Sequence, residues 1–152
     1  MAAEKKSIKL GMVLLLVMLI FALIYSIVAF FSPAVFVSRS FSGATGQSWS
    51  ELVSSSPAVA NYILSMERTM AGFAFSVVIA GFFVLFTAFK RGEQWAWYYM
   101  LFVSLIAWVN NLRPAIAAKT SLTIILNLIG IVLFILGIAI SAKDFLGKQK
   151  AQ

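Results

Sequence analysis

The sequence contains no cysteine and no histidine, and only 11% of its residues are charged. These absences exclude disulfides, thiolate nucleophiles, imidazole bases and the usual zinc ligands. A soluble domain carries about 25% charged residues. Because 62% of this chain is hydrophobic, the composition instead predicts an integral membrane protein that binds no metal or other cofactor.

Carboxylates are also scarce. The five in the chain are Glu4, Glu51, Glu67, Glu93 and Asp144. Only Glu51 and Glu67 fall on one side of the predicted membrane at short range, as an acid–base pair requires. Without histidine, an activated serine would need Lys119 as its base. We therefore predict that the chain is not an enzyme, unless a water-filled cleft brings one of these groups beside a serine.

Four apolar segments meet the need for about 20 residues to cross a hydrocarbon core. They are residues 10–31, 69–89, 95–112 and 122–142. The first is too long for a signal peptide and lacks a cleavage site, so we expect it to be retained as a helix. No acidic or basic side chain lies deep in these segments, which argues against a proton-coupled carrier.

These segments predict an all-α, polytopic membrane protein, an antiparallel four-transmembrane-helix bundle that forms one domain over 1–152. The expected helices are about 10–31, 57–89 with its membrane part at 69–89, 94–112 and 121–142. Nothing interrupts the chain between Pro57 and Phe89, so the first turns of the second helix should stand outside the bilayer. With loop 33–67 they would form a small outer cap.

The basic residues predict the orientation. Eight of the twelve would lie on the cytoplasmic side, namely Lys5, Lys6, Lys9, Lys90, Arg91, Lys143, Lys148 and Lys150. The outer side would hold Arg39, Arg68, Arg113 and Lys119. This bias predicts a multi-pass protein of the cell membrane with both termini cytoplasmic and loop 33–67 outside. Because the cations flank membrane helices and form no stripe, we expect contact with membrane lipids and none with nucleic acid.

The outer loop divides into two parts. Residues 36–47 are rich in serine and glycine, which predicts an irregular or extended segment. Ser48 and Glu51 then match a capping box, which predicts a short interfacial helix anchored by Trp49.

The connection between helices two and three has a recognisable pattern. Lys90 and Arg91 favour the end of one helix, Gly92 its C-cap, and Glu93 the start of the next, so the pattern predicts a tight antiparallel turn. Trp95, Trp97, Tyr98 and Tyr99 predict an aromatic belt at the inner interface, and Trp108 marks the outer one.

The stretch from Phe89 to Tyr98, FKRGEQWAWY, resembles a turn in small uncharacterised four-helix membrane proteins of prokaryotes. In those proteins an F-x-R-G-E-x-W-A-W run joins the second and third helices. The long outer loop before helix two and an arginine near the start of that helix, here Arg68, look similar too. The resemblance implies the same fold and a bacterial or archaeal origin, but no activity.

Small residues recur at helical spacing in two segments. They are Gly72, Ser76 and Ala80 in helix two, and Gly130 and Gly137 in helix four. Such spacing allows helix backbones to approach closely. The stripes therefore predict packing, either within the bundle or against another subunit or a second copy of the chain.

Polar residues converge at the outer leaflet if the helices are antiparallel. The candidate polar pocket consists of Glu67, Arg68, Asn110, Asn111, Arg113 and Asn127. Polar side chains inside a membrane segment are costly and point to function. The alternative is that Asn127 bonds to helix three and that the charged groups merely lie at the interface.

Two functions remain open at this stage. The first is a structural or accessory membrane protein that packs against other membrane subunits. The alternative is a component that binds or transports a small molecule or lipid through the outer polar pocket.

Overall fold

The computed structural model describes residues 6–147, and within that range it contains six α-helices and no strand. The helices are α1 (Lys6–Phe31), α2 (Ala34–Thr45), α3 (Trp49–Ser55), α4 (Pro57–Val84), α5 (Gln94–Ala117) and α6 (Ser121–Leu146). A π-helical turn, Leu85–Phe89, extends α4. Three of the lysines that we predict on the cytoplasmic side, Lys5, Lys148 and Lys150, lie outside the described residues.

Four of the helices are long and apolar enough to cross a membrane, namely α1, α4 with its π-turn, α5 and α6. The prediction of four such helices is confirmed. The continuous helix from Pro57 is confirmed as well, with Pro57 in its first turn, where a missing N–H costs nothing.

The interpretation of residues 36–47 as irregular or extended was wrong for residues 36–45, which form most of α2. Aromatic packing stabilises this helix: the rings of Tyr25 and Phe36 are 4.6 Å apart, and those of Phe41 and Trp49 are 5.6 Å apart. Val37, which lies between Phe36 and Phe41 in the sequence, is buried. The helix ends at Gly46, whose φ of 75° supplies a left-handed C-cap.

The short helix α3 begins as predicted. The side chain of Ser48 accepts a hydrogen bond of 3.1 Å from the backbone N–H of Glu51. This bond satisfies one of the N–H groups that the first turn leaves free.

The turn between α4 and α5 also has the predicted form. Gly92 adopts a φ of 71°, a conformation that costs glycine no Cβ clash. The carboxylate of Glu93 lies 2.8 Å from Nε of Arg91 and accepts a hydrogen bond of 2.7 Å from Nε1 of Trp95. We call this end of the molecule the turn end, and the opposite end, which carries α2 and α3, the cap end.

Helix α5 is longer than predicted. It continues past Pro114 to Ala117, whereas the sequence suggested an end at residue 112. Proline removes one hydrogen bond, because its nitrogen cannot donate to the carbonyl four residues earlier. The following residues remain helical, and Lys119, at a φ of 52°, reverses the chain into α6.

The long helices pack mainly around α1, which has its most extensive contacts with α6 and α4. A Cβ added at Gly11 would lie 2.8 Å from the Gly137 carbonyl oxygen, so the backbones of α1 and α6 approach closely there. Helix α5 packs on α6, and Trp97 Nε1 donates a 3.1 Å hydrogen bond to the Ile138 carbonyl. In contrast, α4 and α5 have few contacts with each other, and a space remains between them.

Candidate functional site

A cavity of about 540 Å³ occupies the space between α1, α4, α5 and α6. Its walls include Met18, Phe21, Ala22, Tyr25 and Ser26 of α1, Met70, Ala71 and Phe73 of α4, Ile106 and Trp108 of α5, and Leu126 of α6. We call it the large cavity. Phe73 and Ile106 line it yet are 66% and 61% exposed. The large cavity therefore reaches the surface between α4 and α5.

Aromatic rings form much of the apolar wall. Phe21 and Trp108 stack with their ring centroids 6.5 Å apart and an interplanar angle of 20°. Trp108 fits there because Gly130 lacks a side chain: a Cβ at Gly130 would lie 2.0 Å from Cη2 of Trp108. The ring of Trp108 is buried within the helix packing, and its place at the outer interface of a membrane stays a prediction.

Asn127 is the most buried polar residue of the large cavity after Ser26, with 4% of its surface exposed. Its Nδ2 donates a 2.7 Å hydrogen bond to the Thr123 carbonyl, one turn earlier in α6. Its Oδ1 is buried and has no hydrogen-bond partner among residues 6–147. Leaving a buried amide oxygen without a hydrogen bond lowers the stability of a protein by about 1–3 kcal/mol. A hydrogen-bond donor next to Oδ1 of Asn127 would remove this cost.

A second cavity of about 290 Å³ lies beneath α2. We call it the small cavity. It is lined by Phe36, Val37, Ser40 and Phe41 of α2, and it shares Tyr25, Glu67, Asn111 and Pro114 with the large cavity. The shared residues form the boundary between the two cavities. Among the described residues that line either cavity, Glu67 is the only carboxylate.

The structure brings four of the six candidate pocket residues to the large cavity. Glu67, Asn110, Asn111 and Asn127 line it. Arg68 and Arg113 are exposed and line neither cavity. The site is therefore an apolar chamber with a few polar groups, and no lysine or arginine contributes to its described walls.

The small-residue stripes differ between the two helices. Gly130 and Gly137 are buried in the packing of α6, where added Cβ atoms would meet Trp108 and Leu15. Gly72 is half-buried, with Phe30 3.8 Å from the position of a Cβ. Ser76 and Ala80 are exposed on α4, and the hydroxyl of Ser76 donates a 3.0 Å hydrogen bond to the Gly72 carbonyl of its own helix.

The residues considered for catalysis lie apart from the large cavity, with the exception of Glu67. Glu51 is exposed on α3, and Lys119 is exposed in the turn before α6. No group of three carboxylates able to hold a metal ion occurs in the part of the chain that the structure describes.

Tyr25 and Trp108 are among the residues of the site that were not predicted from the sequence. Tyr25 borders both cavities. A signal was present, because Tyr25 is the one phenol in the first apolar segment. Trp108 is buried because α5 and α6 approach closely at Gly130. The sequence of α5 alone cannot predict this approach.

No family model, curated protein or solved structure matches the chain. The assignment of a function therefore depends on the geometry of the cavities.

Proposed function

We propose that the chain is an integral membrane protein that binds an amphipathic small molecule or lipid in the large cavity. The observation that carries this proposal is the buried Oδ1 of Asn127, which lines the large cavity and has no partner in the described chain. Burying a polar atom without a hydrogen bond is unfavourable. A bound molecule with a hydrogen-bond donor would remove this cost.

The size and composition of the large cavity support the same proposal. Ligand sites typically measure about 300–1,000 Å³, with apolar walls and a few polar groups that orient the ligand. The large cavity, at about 540 Å³, has apolar side chains of all four long helices and the polar groups of Glu67 and Asn127. This combination suits a molecule with one polar head and an apolar body.

The membrane setting supplies a route of entry. With α1, α4, α5 and α6 as the spanning helices in an antiparallel bundle, the opening between α4 and α5 would face the hydrocarbon region. The bias of lysine and arginine supports an orientation with the cap end outside. A hydrophobic molecule could then enter sideways from the outer leaflet without crossing water.

The experiment replaces Asn127 by leucine and measures what the protein retains. The full chain would be purified from its native membrane in mild detergent and analysed by native mass spectrometry. We expect the unaltered protein to carry a small molecule and Asn127→Leu to lose it. The midpoint of thermal unfolding should not fall, because leucine of similar size removes an unsatisfied amide oxygen.

Asn61→Leu is the matched control, because Asn61 is exposed on α4 and lines neither cavity. It should keep the bound molecule, and so should Arg68→Ala. Retention by Asn127→Leu, or an empty cavity in the unaltered protein, would contradict the proposal.

A second candidate function is that of an accessory subunit packing against other membrane proteins or a second copy. Ser76 and Ala80 favour it, since these small residues are exposed on α4 and would allow another helix to approach closely. A stoichiometric partner in the same mass spectra would support this function. Its loss in Ala80→Phe would assign the contact to α4.

A further inference from the structure

Three acceptors of the large cavity lack a donor or have free lone pairs. The Asn127 Oδ1 lacks a donor, and the Ser26 hydroxyl already donates a 2.7 Å hydrogen bond to the Ala22 carbonyl, which leaves only its lone pairs. Pro114 has no N–H, so the Asn110 carbonyl loses its usual helical donor. A bound molecule with N–H groups could therefore satisfy acceptors that the described chain leaves open.

The charge at the cavity has one sign. Glu67 is half-buried and lines both cavities, while Arg68 and Arg113 are exposed and outside the described walls. An anionic head, such as a carboxylate or phosphate, would meet the Glu67 carboxylate and no cation. Uncompensated like charges in a low-dielectric site are strongly unfavourable.

An aromatic ring adds to the preference for a cation. Tyr25 lines the large cavity, and the face of a tyrosine ring attracts ammonium groups. The remaining wall is apolar, and the apolar part of a ligand gains stability in proportion to its buried area.

We propose that the ligand is a long-chain amine whose ammonium group pairs with Glu67. A further N–H of the ligand donates to Oδ1 of Asn127, and the chain lies along Phe21 and Trp108. This inference rests on the proposed function, and it adds the chemical class of the ligand and the residue that selects it.

The test uses three probes with the same brominated dodecyl chain and different heads: an amine, an alcohol and a carboxylate. The full chain would be placed in lipid nanodiscs of a zwitterionic phospholipid, and quenching of tryptophan fluorescence by bromine would report binding. Trp108→Phe identifies the part of the quenching that arises in the large cavity. Dissociation constants would be taken from that part alone.

We expect the amine to bind about tenfold or more tightly than the alcohol, because the ammonium group pairs its positive charge with the Glu67 carboxylate whereas the alcohol is a neutral donor. The carboxylate should bind most weakly. Glu67→Gln should remove the advantage of the amine over the alcohol. Glu51→Gln is the matched control and should change nothing, because Glu51 is exposed on α3 and outside both cavities.

The outcomes separate this inference from the proposed function. Equal or tighter binding of the alcohol or the carboxylate overturns the amine assignment while cavity binding stands. If the amine still binds more tightly than the alcohol in Glu67→Gln, the amine assignment is likewise overturned while cavity binding stands. If Glu67→Gln does not fold, the dissociation constants of the three probes for the unaltered protein still test the amine assignment. No Trp108-dependent quenching by any probe overturns both proposals.

Discussion

Gly130 and Trp108 determine how closely α5 can approach α6 beside the large cavity. The indole occupies the position that a side chain at residue 130 would take, with Cη2 only 2.0 Å from the site of a Cβ. A rigid ring cannot move aside as a flexible side chain can. The glycine is therefore required by packing at this position.

We expect Gly130→Ala to lower the free energy of unfolding by about 1–3 kcal/mol, the usual cost of overpacking. Thermal unfolding in detergent measures the change. Gly72→Ala is the control, because the nearest atom to its added Cβ is 3.8 Å away and alanine favours helix formation. Equal stability of the two variants would show that Trp108 does not pack against Gly130.

At this scale the sequence identified the polar residues of the large cavity better than the aromatic ones. Asn110, Asn111, Asn127 and Glu67 stand out because polar groups are rare in apolar segments. Aromatic residues such as Trp108 are common there, so their burial depends on the neighbouring helix. Whether the four polar residues bind a ligand stays a prediction.

The cap helix α2 shows where local composition misleads. Serine and glycine usually favour turns, yet Ser42 and Thr45 donate hydrogen bonds of 2.9 and 2.8 Å to the carbonyls of Ser38 and Phe41, one turn back in the same helix. The helix is stabilised by contacts with α1 and α3, which a reading of residues 36–47 in isolation cannot include. Where a helix begins with a local cap, as α3 does at Ser48, the sequence was sufficient.

Gly43 brings α2 close to the turn that follows α5, since a Cβ there would lie 2.0 Å from the Ala118 carbonyl oxygen. We expect Gly43→Ala to displace α2 from this contact. The chain has no cysteine, so Val37→Cys introduces a single thiol at a buried position of α2. The rate at which a maleimide reacts with this thiol measures the displacement of α2.

The rate should rise several-fold in Gly43→Ala, in line with local opening of a helix held by few contacts. Ala44→Ser is the control, because Ala44 is exposed on the same helix. An unchanged rate would mean that α2 does not depend on the contact with Ala118.

On the scale of the whole molecule, the sequence predicts four long apolar helices but not their neighbours. Helices α4 and α5 are joined by a tight turn, and consecutive helices usually pack together. Here α1 packs against both α4 and α6 instead, and the glycines that permit this are distant in sequence. The large cavity is a consequence of this arrangement and was not predictable from any single segment.

The orientation of the molecule can be tested with two single cysteines. Ser54→Cys lies exposed on α3 at the cap end, and Gly147→Cys lies exposed after α6 near the turn end. With a membrane-impermeant maleimide on intact cells, we expect Ser54→Cys to be labelled and Gly147→Cys to be labelled only after permeabilisation. The reverse pattern would place the termini outside.

The close contact of α1 with α6 has a consequence for biosynthesis. A ribosome completes α1 long before α6, so the surface around Gly11 has no partner while the intervening helices are made. If the chain is inserted in a membrane, that surface would contact lipid or an assembly factor until the segment containing Gly137 emerges. The packing around α1 is therefore completed by α6, which is synthesised after the other described helices, and a nascent chain stalled before α6 would leave this face of α1 uncovered.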